Sequence, residues 1–131
     1  MQKIEVKTSA RSELVDITKR VQLTIDKLGI KNGLCLVFSP HTTAGITINE
    51  NADYSVQEDI LSELGKIVPE DAKYSHREGN SDAHIKTSLI GCQVLVIIEA
   101  GRLSLGTWQG IYLCEFDGPR TRQVWVKAIK G

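Results

Sequence analysis

Imidazole is the commonest metal ligand among side chains and the usual acid or base near neutral pH. This chain carries only three histidines, all in polar, loop-like stretches. His41 lies in Ser39-Pro40-His41-Thr42-Thr43-Ala44-Gly45, His76 in Tyr74-Ser75-His76-Arg77-Glu78-Gly79-Asn80, and His84 in Ser81-Asp82-Ala83-His84-Ile85-Lys86. Three neutral imidazoles around a divalent ion, with one position left open, would make a site of the catalytic type for zinc or a similar metal. His76 and His84 are eight residues apart across Gly79 and an expected helix start, so a turn can bring them together. His41 is distant in sequence, at the end of an expected buried strand, which is a rigid mounting point. No His-Glu-x-x-His pattern is present. A loop histidine taken singly is usually a surface or hydrogen-bonding residue, so the metal reading rests on convergence.

The carboxylates offer a second chemistry. Glu115 and Asp117 fall at i and i+2, on one strand face shared with Ile111 and Leu113. Two readings stand: a strand-end salt bridge with Arg120 or Arg122, or a role in binding metal or substrate. Glu50 follows Ile46 and Ile48 on one face in the same way. Asp117-Gly118-Pro119-Arg120 is turn chemistry, and its arginine has the fork geometry to grip a phosphate. Glu78-Gly79-Asn80-Ser81 leads into a helix start, where backbone N–H groups can cradle an anion and Lys86 adds a point charge. A plainer account has Ser81 capping the helix and Asp82 complementing its dipole. That leaves His76, Glu78, Asn80, His84 and Lys86, all within eleven residues, without a role. In Gly106-Thr107-Trp108-Gln109-Gly110, Trp108 is core or subunit contact, with substrate stacking as the minor alternative. Gln109 has donors and acceptors to orient a ligand. Cys35, Cys92 and Cys114 are odd in number, far apart and embedded in strand-like runs, with no Cys-x-x-Cys. They read as small buried hydrophobes.

Regular elements must hold these groups. Residues 3–8 alternate, with Ile4 and Val6 on one face, as a half-exposed strand does. Glu13 to Ile17 is a second short strand. Thr18 reads as a helix cap, with Val21, Ile25 and Leu28 on one stripe and Gly29 as the stop. Residues 33–38 are continuously apolar and read as a strand buried on both faces, ended by Pro40. Residues 46–51 are extended. Asp53 caps a helix carrying Val56, Ile60, Leu64 and Ile67, and Pro69 closes it. A long polar loop over 70–80 precedes a short helix from Ser81 to about Leu89. Strands over 93–98, 109–116 and 123–129 finish the chain, with an irregular stretch around residues 106–108. The order β-β-α-β-β-α-(short α)-β-β-β argues an α+β fold.

Length sets one domain, residues 1–131, with room for a real core. The formal net charge is zero, which gives no support to a nucleic-acid or anionic-membrane partner and fits self-association. No apolar run approaches the roughly 20 residues of a membrane span. The first residues lack the apolar region of a signal peptide, so a cytoplasmic location is expected.

The Ser39–Gly45 motif, then Asn49-Glu50-Asn51, His76 to Lys86, Gly106 to Ile111 and Glu115 to Arg120 together resemble the YjbQ-like family, in order and over nearly the whole chain. That family is catalogued as uncharacterised and labelled secondary thiamine-phosphate synthase. Tyr54 departs from it, standing where proline is expected at a helix start. The resemblance implies two packed, mostly antiparallel sheets with two main helices, assembled as a homotrimer. It also implies that His41, His76 and His84 share a metal site. The implied activity joins a pyrimidine methyl diphosphate to a thiazole phosphate, giving thiamine phosphate and diphosphate.

On that basis the sequence supports a metal-dependent enzyme acting on a phosphorylated small molecule. Its cofactor would be a divalent metal ion, zinc sooner than manganese or magnesium, because magnesium prefers oxygen ligands. Glu78 or Asp117 would position a proton or an amine. Arg120 and Lys86 would hold phosphate, and Thr42, Asn51, Asn80 and Gln109 would orient the substrate. A metal-assisted hydrolase uses the same constellation. A ligand-binding trimer without turnover, or a structural trimer, are the remaining alternatives.

Overall fold

The computed structural model describes residues 1–131. In chain order the elements are β1 (Gln2–Lys7), β2 (Glu13–Asp16), α1 (Thr18–Leu28), β3 (Gly33–Phe38), β4 (Ala44–Glu50), α2 (Tyr54–Ile67), α3 (Ser81–Ile90), β5 (Gln93–Glu99), β6 (Arg102–Leu103), β7 (Gln109–Glu115) and β8 (Thr121–Lys130). They build a five-stranded sheet in the order β1-β8-β3-β5-β6 and a three-stranded sheet in the order β2-β7-β4. Every pairing is antiparallel. The α+β class with two antiparallel sheets therefore stands.

The period-two patterns explain the main core. Ile4 and Val6, Cys35 and Val37, Val96 and Ile98, and Val124 and Val126 all point inward from the large sheet. They meet Ala44, Ile46, Ile111 and Leu113 of the small sheet, with Ile17, Val21 and Ile25 from α1. A second cluster forms on the other face of the small sheet, where α2 and α3 cover Tyr112, Cys114 and Phe116. Strand β7 is thus buried on both faces. The outer face of the large sheet has no covering layer.

Four local expectations are corrected. Thr18 is the first residue of α1 and not its cap; Ile17 holds the cap position, and Asp16 Oδ1 accepts the Thr18 amide at 2.9 Å. Strand β3 is buried on one face only, with Leu34 40% exposed, because nothing packs outside the large sheet. Cys92 lies in the exposed turn before β5, whereas Cys35 and Cys114 are buried as expected. The irregular stretch after Gly101 contains β6, which pairs with the end of β5. Helix α2 starts on its Asp53 cap as expected, but none of its residues is fully buried and Ile67 is exposed.

Two glycines bring the site elements together. A Cβ on Gly45 would meet the Gly91 carbonyl, and the Ile46 amide donates to that same oxygen at 3.0 Å, so β4 lies directly against the end of α3. A Cβ on Gly118 would run into the Ala10 carbonyl, while the Gly118 amide donates to Arg11 O at 3.0 Å. The β7–β8 turn, with its cis Gly118–Pro119 bond, is thereby packed on the β1–β2 loop.

Candidate functional site

The first turn of α3, the loop before it and the β7–β8 turn gather most of the predicted residues. His76 and His84 stand edge to face, with ring centroids 5.5 Å apart. They border an open cleft of about 410 Å³ lined also by Tyr74, Ser75, Ser81 and Ile85. Two imidazoles on one tetrahedral zinc, at Zn–N near 2.0 Å, put their centroids about 5 Å apart. The separation of the two rings is of that order. Glu78 Oε2 lies 3.6 Å from His76 Nε2, within reach of a charge contact but beyond hydrogen-bond distance.

His41 is not part of that pair. Its Nε2 accepts the Gln123 amide at 2.9 Å, which puts the proton of the neutral ring on Nδ1 and leaves no free lone pair. Burial, and then the Arg122 charge, push the His41 pKa below its ordinary value, favouring that neutral ring. No three His, Cys, Asp or Glu side chains of the chain cluster tightly enough to hold an ion. Two of the three histidines meet within the chain, and the third does not join them.

The carboxylates behind the cleft are occupied. Glu115, with no side-chain exposure, pairs with Arg122, whose Nε donates to Oε1 at 2.8 Å. It also accepts from Thr8 Oγ1 at 2.8 Å and from the Phe116 and Asp117 amides at 3.1 Å each. Burial works to raise its pKa, but the hydrogen bonds from Arg122, Thr8 and the Asp117 amide, with the Arg122 charge, hold it below the ordinary value. This is the salt-bridge alternative, with Arg122 as the partner. Asp117 Oδ2 accepts from Asn80 Nδ2 at 3.0 Å and Arg120 Nη2 at 3.1 Å. Burial again opposes, yet the bonds from Asn80 and Arg120 and the charges of Arg120 and Arg11 keep its pKa low. An acid so held is a weak proton acceptor.

The cations are likewise paired. Lys86 is buried, with Nζ 2.8 Å from Asp82 Oδ2 across one helical turn. Arg120 remains half exposed but leans on Asp117. Asn80 occupies the cap position of α3, and its buried Oδ1 has no partner. Thr42 is exposed in the β3–β4 turn, beside Thr43, whose oxygens accept from Arg122.

Asn51 and Gln109 sit elsewhere. Ala44 pairs with Glu115 at one end of the β4–β7 ladder, and Glu50 with Gln109 at the other. The two ends of the ladder are six residue steps apart, about 20 Å at a strand's rise per residue. Gln109 Oε1 accepts the Gly106 amide at 2.8 Å, closing its own turn, and Trp108 beside it is exposed.

Sequence reasoning passed over Arg11. From the β1–β2 loop its guanidinium reaches Asp82 at 3.1 Å, Glu70 at 3.3 Å and Asp117 at 3.6 Å. A lone arginine in a short loop carries no pattern, so only the fold exposes these contacts.

Comparison with known proteins matches this architecture to one family. The family model described as "UPF0047 protein YjbQ-like" matches residues 2–131. The UPF0047 protein MJ1081 of Methanocaldococcus jannaschii is 53% identical, over 97% of this chain and 92% of that protein. The UPF0047 protein YugU of Bacillus subtilis is 50% identical, over 96% of each. The crystal structure of an uncharacterised family protein from Clostridium acetobutylicum superposes with a TM-score of 0.97 at 54% identity, covering 98% of this chain and all (100%) of that one. A protein of unknown function from Sulfolobus solfataricus superposes at 0.95 with 37% identity, covering 99% and 96%. With its sequence matched end to end and its fold reproduced, the chain belongs to the YjbQ-like UPF0047 family, whose function is unknown.

Proposed function

We propose that this chain is a metal-dependent enzyme acting on a phosphorylated small molecule, with a divalent ion held by His76 and His84. The observation that carries this reading is the placement of two imidazoles 5.5 Å apart at the mouth of an open cleft. Zinc is favoured over manganese or magnesium, since two nitrogen donors suit it and magnesium seeks oxygen. Bound there, such an ion supplies Lewis acidity toward a phosphate oxygen. The chain's own residues do the rest: Glu78 orients the His76 ring, and Arg120, half exposed at the turn, meets substrate charge. Thiamine-phosphate synthesis is the narrower activity that the family resemblance suggests. Metal-assisted hydrolysis is the second reading. It is favoured by Lys86, whose charge is already matched by Asp82 and so is not free for a diphosphate.

The same reading has the chain act as a homotrimer with the site finished at a subunit boundary. The uncovered face of the large sheet supports this. Leu34 lies opposite Ile97 and Ile129, Leu36 opposite Leu95, and Phe38 stacks on Trp125 with centroids 5.7 Å apart. Such a contiguous apolar patch marks a contact surface. Gln123, which anchors His41, borders the patch through its bond from Trp125 Nε1. His41 therefore stands where a neighbouring copy would dock. The reading places the protein in the reducing cytoplasm, in keeping with three free cysteines.

The test is metal content per subunit of untagged protein purified without chelator, beside His84→Ala and His41→Ala. Near-stoichiometric zinc, lost in a folded His84→Ala variant, is expected. Loss in both variants would show that the His41 turn supports the site from outside the ion, and retention in His41→Ala would leave it a turn anchor only. Absence of metal even after adding zinc, manganese or magnesium would refute the proposal. Hydrolysis of simple phosphate esters and synthesis of thiamine phosphate then separate the two activities.

A further inference from the structure

We infer that Arg11 is a positioning residue: it clamps both ends of the 70–79 loop and so sets the separation of His76 from His84. The loop between α2 and α3 is exposed and has few ties to the rest of the molecule. Its own hydrogen bonds, Tyr74 Oη to Pro69 O and Tyr74 N to Ala72 O, tie its first half to itself and to the residue just before it, and to no other element. Arg11 does. Nε meets Glu70 Oε1 at 3.3 Å near the loop's start, and Nη2 donates to Gly79 O at 3.5 Å at its end. The same Nη2 bonds Asp82 Oδ1 at 3.1 Å in the first turn of α3, the helix that carries His84. Nη1 faces Asp117 Oδ1 at 3.6 Å. One planar cation thus ties the loop bearing His76 to the helix bearing His84 and to the β7–β8 turn.

The chemistry requires arginine. Acceptors on three segments, in directions set by a fork, match five guanidinium donors and exceed what a lysine point charge can reach. The clamp is not what keeps the surrounding charges paired. Without Arg11, Asp82 retains Lys86 at 2.8 Å, and Asp117 retains Asn80 and Arg120. Removing it therefore frees the loop more than it destabilises the fold. Residues that orient ligands from behind typically contribute about 10–100-fold in metal affinity.

The inference about metal rests on the proposal that His76 and His84 bind an ion, so the experiment reads loop and metal separately. Arg11→Gln, Glu70→Gln and the parent chain are compared by zinc titration calorimetry and by limited trypsin digestion. Lys73 and Arg77 provide cleavage sites inside the loop. Arg11→Gln is expected to bind zinc about 10–100-fold more weakly and to be cut faster after Lys73 and Arg77, with its thermal midpoint within a few degrees of the parent. Glu70→Gln, which releases only one end, should show a smaller change in the same direction. Unchanged cleavage in Arg11→Gln would overturn the clamp. Faster cleavage with unchanged zinc affinity would overturn its role in placing the histidines. If the parent binds no zinc, the metal proposal fails and cleavage alone decides the clamp. If Arg11→Gln does not fold, Glu70→Gln carries both readouts, and parent-like values there refute the inference.

Discussion

Among single residues, Glu115 carries a fully buried charge. Glu115 and Arg122 are a buried ion pair in which every carboxylate oxygen is matched by a donor. Removing one partner strands the other, so Arg122→Met should cost about 3–5 kcal/mol, read as a fall in the urea midpoint. The same bonds make stability depend on acid. The Glu115 and Asp117 carboxyls are held below ordinary values of 4.5 and 3.8. The unfolded chain therefore takes up these protons first as pH falls. Their stabilisation is complete above the ordinary values and is lost as pH drops through the lower, folded ones. Acid unfolding followed by circular dichroism should accordingly lose stability below about pH 4, and less steeply in Asp117→Asn than in the parent.

At the scale of elements, α3 is the part on which the candidate site depends. It carries His84, starts at Asn80 and ends against β4 at Gly45. The neighbour facing Gly45 is backbone and cannot yield as a side chain would. Gly45→Val should therefore push α3 off the small sheet at a cost of about 1–3 kcal/mol, seen as a lower thermal midpoint together with weaker zinc binding. Helix α2 is the opposite case. It covers the small sheet through half-buried Leu61 and Leu64 without burying any residue fully. Its amides should exchange with deuterium well before those of β7, which is buried on both faces; equal protection would show that α2 is covered in solution.

At the scale of the whole molecule, the two sheets divide their labour. The small sheet is covered on both faces, and α3, the helix that bears His84, packs on it. The large sheet hides one face in the core and leaves an apolar one outside, with Leu95 and Ile97 each more than half exposed. On the proposed trimer, a Leu95→Lys/Ile97→Glu double variant should shift the mass measured by light scattering from trimer to monomer while keeping the parent's circular dichroism. A parent that is itself monomeric at all concentrations would remove the subunit-boundary part of the proposal. No helix of the structure is long and apolar enough to cross a membrane.

The sequence by itself determined the α+β class, the strand and helix periods, the Gly29 and Asp53 helix ends and the membership in the family. These follow from side-chain alternation, capping chemistry and long contiguous motifs, all of which are local. It also brought His76 and His84 under suspicion together, because they flank one helix start. Only the tertiary structure decided which distant groups meet. It joined Glu115 to Arg122 rather than Arg120, paired Lys86 with Asp82, tied His41 to Gln123, and sent Asn51 and Gln109 to the far end of the β4–β7 ladder. It likewise showed β3 to be half exposed, since a run of apolar residues reads the same whether its second face meets a core or a bare surface. Arg11 was illegible for the plainest reason: its partners are 59 to 106 residues away in the chain, and only folding brings them within a guanidinium's reach.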